Sequence, residues 1–137
     1  MKNMGTKYRL VIISIVIVIL AGCARNDPRQ FFGTWENTRA TGVLNLTITN
    51  ESIIGIQPGS SYTLDQLIWA PAVNNDPATR SIFPRGFYVT GTASQVNNIS
   101  DLRLGEKRTW MIFLNNDRTS FLRRIDNLPD FVFTKVQ

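Results

Sequence analysis

GVLNLTIT, residues 42–49, alternates Leu44, Leu46 and Ile48 with Asn45, Thr47 and Thr49. Side chains on a strand point to opposite faces in turn, so strict alternation marks a strand with one face buried and one wet. A helix would need apolar residues three and four apart, which this stretch lacks. Upstream, FFGTWEN (31–37) is an aromatic-rich strand candidate, and downstream Asn50-Glu51 makes a turn into SIIGIQ (52–57), which Pro58-Gly59 ends. Three consecutive strands are in place by residue 57.

The same reading continues to the end of the chain. SYTLDQLIW (61–69) is either a strand with a bulge or a short helical turn, and Ala70 to Val73 prolongs it. Pro71 has no N–H to give a ladder, which argues against a central-strand position there. Residues 74–84 read as loop, GFYVTGTAS (86–94) as a strand kinked at Gly91, and residues 94–107 as a polar connection. RTWMIFL (108–114) and RTSFLRRI (118–125) flank Asn115-Asn116-Asp117, residues that tolerate left-handed turns, and FVFTKV (131–136) closes the series. No helix-period segment of ten residues follows residue 22. The expected fold is all-β, an antiparallel up-and-down barrel of about eight strands.

The first residues have a different character. Lys2, Lys7 and Arg9 precede LVIISIVIVIL (10–20), apolar except for Ser14, which is the layout of a secretory signal peptide. Eleven residues rising 1.5 Å each cover only about half of a ~30 Å hydrocarbon core, too little for a permanent span. Leu20-Ala21-Gly22-Cys23 resembles a bacterial lipobox, at which a lipoprotein signal is cut before a lipid-bearing cysteine. Small residues suit the peptidase, and the thiol supplies the nucleophilic sulfur. This reading divides the chain into a signal peptide (1–22), a lipidated tether containing Pro28 (23–30) and a barrel domain (31–137). Two or three palmitate-type acyl chains on Cys23 would hold the protein firmly where one holds it marginally. Ala24, rather than Asp, resembles the enteric sorting pattern of outer-membrane over inner-membrane lipoproteins. The alternatives are an ordinary secretory cleavage that leaves a free thiol, and an uncleaved anchor.

Composition removes several classes of function. The formal charge is +5, but three of the basic residues lie in the first 22, leaving twelve Lys and Arg against ten Asp and Glu. So small an excess gives no electrostatic footprint for nucleic acid. The chain has no histidine and one cysteine, which excludes Ser-His-Asp, Cys-His and zinc chemistry; acylation of Cys23 would also remove the only thiol. The carboxylates are scattered through expected turns, so no catalytic pair, metal site or cofactor is indicated, and the expectation is a protein that is not an enzyme.

Phe32-Gly33-Thr34-Trp35 resembles the Gly-x-Trp signature that opens the first strand of the lipocalin superfamily, and the run of short strands is similar to that of small lipocalin-like bacterial lipoproteins. The chain departs from that pattern in its short length, in lacking a long C-terminal helix and a second signature of the TDY type, and in having no disulfide. The resemblance implies that Trp35 packs at the closed end of the barrel and that a basic residue of a late strand lies across its ring. Arg123 is the leading candidate, with Arg124 and Lys135 also open.

A barrel of eight strands is just wide enough to be filled by side chains or to hold one small ligand. The expected lining residues are Leu46, Ile48, Phe87, Val89, Trp110, Ile112 and Phe121, together with Trp35 and Leu44, and Tyr62, Tyr88 or Arg123 would supply polar specificity. Two functions follow. One is a membrane-anchored, non-catalytic envelope lipoprotein that binds a small hydrophobic ligand. The other is a solid-cored interaction or assembly lipoprotein that contacts another envelope protein through the loops at 74–84 and 94–107.

Overall fold

The computed structural model describes residues 27–39 and 42–136. Eight strands follow one another in a meander: β1 (Gly33–Arg39), β2 (Gly42–Ile48), β3 (Ser52–Gln57), β4 (Ser60–Val73), β5 (Arg85–Asn97), β6 (Lys107–Leu114), β7 (Ser120–Arg124) and β8 (Phe131–Lys135). Each pairs antiparallel with the next, and β8 returns to β1 to close the barrel, an arrangement consistent with a lipocalin-like fold. The closing seam has only the pairs Trp35–Lys135 and Glu36–Thr134. It is lengthened by Val136 N–H donating to Thr34 O at 2.9 Å and Asn37 Nδ2 donating to Val132 O at 2.7 Å. The residues expected to form a lipobox, Leu20, Ala21, Gly22 and Cys23, with the rest of the expected signal, lie outside the described residues.

Alternation decides what fills the interior. Trp35, Leu44, Leu46, Ile48, Ile53, Val89, Ile112, Phe121 and Phe133 all turn inward and are fully buried or nearly so. The end of the expected tether is not free chain. Pro28–Phe31 forms a 3-10 turn capped by the Asp27 side chain, and Phe31 enters the barrel to plug one end. Gly86 lies on β5 against β6; a Cβ there would meet Ile112 O at 1.6 Å, so no larger residue fits.

The structure decides two local readings and corrects a third. The ambiguous stretch at 61–69 is a strand with a bulge, its register shifting between Asp65 and Ile68, with Gln66 left-handed at φ 55°. Pro71 lies in the prolongation of that strand, opposite Phe87 and not in a central position, as expected. It is tolerated because β3 pairs with β4 only through Asp65, so the far side of β4 at Pro71 is an edge without a ladder to interrupt. In the β6–β7 hairpin the left-handed residue is Arg118 (φ 61°), not Asn116 or Asp117, while Asn115 Oδ1 accepts the N–H groups of Thr119 and Ser120. A left-handed non-glycine costs about 1–2 kcal/mol, and glycine's own entropic cost offsets part of the gain. Arg118→Gly is therefore expected to raise stability by about 0.5–1 kcal/mol in denaturant unfolding.

The loop at 74–84 folds back on the outer wall. Phe83 joins Ala72, Phe113 and Leu122 in a second apolar cluster, and buried Asn74 donates to Phe83 O at 3.0 Å. Asp76 accepts from Ala78 N–H (3.0 Å) and Thr79 Oγ1 (3.2 Å) and pairs with Arg124 at 3.0 Å. The Ala78 N–H first, and the Thr79 hydroxyl and Arg124 charge after it, hold the Asp76 carboxyl below its ordinary pKa. The anchoring is thus complete above the ordinary aspartate pKa and is lost as pH falls through the lowered one. Amide exchange at Ala78, relative to its intrinsic rate, is expected to accelerate only in that acid window, and Asp76→Asn is expected to reproduce the acceleration at neutral pH.

Candidate functional site

The two ends of the barrel differ. At the closed end Trp35 Nε1 donates to Phe31 O at 2.8 Å, and the Trp35 ring meets Phe121 edge-on with centroids 4.8 Å apart. Phe121 in turn stacks on Phe133 (5.0 Å) and meets Phe31 edge-on (5.8 Å). Lys135 Nζ lies over the Trp35 ring, 5.5 Å from its centroid. Arg123 is not that partner: strand β7 carries it one layer further up the barrel than Phe121, where its guanidinium lies over Trp110 at 4.8 Å. Arg124, next in sequence, points outward to Asp76 and Asp130.

At the other end a cavity of about 110 Å³ opens between the β1–β2, β3–β4, β5–β6 and β7–β8 ends. Period two brings its polar lining together. Trp35, Asn37 and Arg39 share a face of β1, Arg108 and Trp110 a face of β6, and Phe121 and Arg123 a face of β7. Leu44, Leu64, Ile99, Leu102, Ile125 and Leu128 supply the apolar walls. Tyr62 reaches the cavity because its cross-strand partner is Gly55; a Cβ at Gly55 would stand 2.4 Å from the Tyr62 ring.

Among the described residues three polar atoms buried here lack a well-formed hydrogen bond: Tyr62 Oη, Trp110 Nε1 and Arg123 Nε, the Tyr62 hydroxyl and the Arg123 guanidinium facing each other. Arg123 is 6% exposed and makes no ion pair among the described residues, though Phe131 and Phe133 flank its guanidinium at 5.1 and 5.2 Å in addition to Trp110. Burial pushes the Tyr62 hydroxyl above its ordinary pKa, partly opposed by the charge of Arg123. Burial likewise lowers the pKa of Arg123. Asp101 is the one carboxylate among the lining residues, and it is taken by Arg108, 3.5 Å away. Glu106 binds the same guanidinium at 2.6 Å.

Of the expected lining residues Leu44 and Trp110 touch this cavity. Leu46, Ile48, Phe87, Val89, Ile112 and Phe121 belong to the packed core below it. The physical reason is the Phe31 plug and the aromatic stack on Trp35, which fill the barrel from the closed end upward. Tyr88 points away from the interior and is exposed. Tyr62 and Arg123 do face the cavity. Arg39 and Gln57 were findable from the same period two; Ile99, Asp101 and Leu102 sit in a loop that carries no periodic signal. Among the described residues no helix is long and apolar enough to cross a membrane, and no group of three or more His, Cys, Asp or Glu lies together. No family model, curated protein or solved structure matches the chain.

Proposed function

We propose that the chain is a non-catalytic, lipid-anchored protein of the bacterial cell envelope whose barrel takes a small ligand into the open-end cavity. The observation that carries this reading is the cavity at the open end, walled by leucine and isoleucine, with Tyr62 Oη, Trp110 Nε1 and Arg123 Nε buried against it and none of the three in a well-formed hydrogen bond among the described residues. Leaving such atoms unpaired costs about 1–3 kcal/mol each, and buried polar groups in folded proteins are rarely left so without a functional reason. A solid-cored adaptor would bear no such cost. The loop at 74–84, one of the two surfaces such an adaptor would use, spends Phe83 and Asp76 on its own barrel wall.

The lipobox supports the anchoring half. Asp27 enters at the closed end, and even a fully extended chain allows a lipidated Cys23 to lie at most about 14 Å from it. The plugged end then faces the membrane and the cavity's mouth faces away, open to solutes of the envelope. The test is twofold. Mass spectrometry of the native N-terminus is expected to find residues 1–22 removed and Cys23 acylated; an unacylated residue 23 overturns the anchor. Tryptophan fluorescence of the full chain in phospholipid nanodiscs, titrated with a panel of small apolar and amphiphilic compounds, is expected to show saturable change. A flat response to the whole panel overturns ligand binding.

A further inference from the structure

We infer that the ligand of the open-end cavity is a small organic monoanion, its carboxylate held by Arg123, Trp110 and Tyr62 and its short apolar part against Leu44, Leu64 and Leu102. This rests on the proposed binding function and specifies the chemistry of the same site.

The argument is one of complementarity. A guanidinium and an indole N–H only donate hydrogen bonds, so two of the three unpartnered groups demand an acceptor, and the Tyr62 hydroxyl accommodates one by donating as well. The charge of the lining has the matching sign. Arg39, Arg108 and Arg123 face a single carboxylate, Asp101, which Arg108 already engages. Arg39 gives its Nε to Asn37 Oδ1 at 3.1 Å and stacks on Phe131 at 4.0 Å, so it too lacks an acidic partner among the described residues. Two cations without acids border one cavity. A buried guanidinium is satisfied best by a carboxylate that can accept two parallel hydrogen bonds, and such charge-assisted bonds are about twice as strong as neutral ones.

Size and walls limit the rest of the molecule. A dry cavity of about 150 Å³ holds a benzene ring, so 110 Å³ suits a carboxylate with a tail of only a few carbons. The Arg123 guanidinium lies over the Phe131 and Phe133 rings, and Leu44, Leu64 and Leu102 of the lining are left to the tail.

Isothermal titration calorimetry of the full chain in nanodiscs, with butyrate and 1-butanol as probes, separates this inference from the function on which it rests. Butyrate is expected to bind at least about tenfold tighter than butanol, the order of advantage that a charge-assisted bond gives over a neutral one. Arg123→Gln is expected to remove that advantage, so that butyrate binds no tighter than butanol. Tyr62→Phe keeps the ring and is expected to weaken butyrate severalfold, which preserves the test if Arg123→Gln fails to fold. Equal binding of acid and alcohol, or full butyrate affinity in both variants, overturns the anion inference and leaves a neutral-ligand site. Binding of neither probe, nor of any compound in the fluorescence panel, overturns both.

Discussion

Trp35→Ala is expected to cost about 3–5 kcal/mol of unfolding free energy, a large share of the ~5–15 kcal/mol that holds a domain folded. The ring is fully buried, and three separate interactions converge on it. Its removal leaves a cavity beside Phe121, strips Phe31 O of the 2.8 Å hydrogen bond that seats the plug, and uncovers the Lys135 ammonium. The first loss accounts for most of the cost, because β1, β7 and β8 all meet there and cannot collapse together without breaking the short seam between β1 and β8. Urea unfolding checks the magnitude. A loss below about 1 kcal/mol would mean that the closed end is not packed around this ring.

Arg123→Met is expected to do the opposite, stabilising the barrel by about 1–2 kcal/mol while abolishing preferential binding of anions. The desolvation of a buried cation costs several kcal/mol, and with no ion pair to Arg123 among the described residues only the neighbouring rings, the Tyr62 hydroxyl and the more distant Asp101 offset it. The three aromatic contacts together recover part of that, each being worth about 0.5–2 kcal/mol. Methionine keeps the apolar stem without the charge, so the unfavourable term disappears and most of the packing stays. A residue that costs the fold stability is the pattern of a binding site rather than of a scaffold. Thermal and urea denaturation of the two chains read the sign directly; destabilisation would show that the rings more than compensate the buried charge.

How much of this was legible in the sequence follows from which force placed each residue. The strands were readable because GVLNLTIT, SIIGIQ and RTWMIFL each alternate or run apolar between turn residues, and the meander followed from short connections. The bulge at Gln66, the edge that admits Pro71 and the shift of the left-handed turn position to Arg118 depend on neighbouring strands, which a local pattern does not report. The site divided in the same way. Tyr62, Trp110 and Arg123 stood on inward faces by period two, but the height of each in the barrel was hidden. Leu46, Ile112 and Phe121 share those faces and proved to be core, because the register between strands, not the period along one, decides which layer meets the cavity. Lys135 over Trp35 is the same lesson: a late-strand cation was expected there, and only the β1–β8 pairing selects it from Arg123 and Arg124.

The central claim is that the donors at the open end exist to meet a ligand, and the indole N–H groups report on it. The chain has three tryptophans, of which Trp35 donates to Phe31 O while Trp110 Nε1 has no partner among the described residues. In ¹⁵N-indole spectra of the full chain titrated with butyrate, the Trp110 signal is expected to move downfield and saturate while that of Trp35 stays still. A Trp110 signal that does not respond, or one that moves only in step with Trp35, would contradict the account.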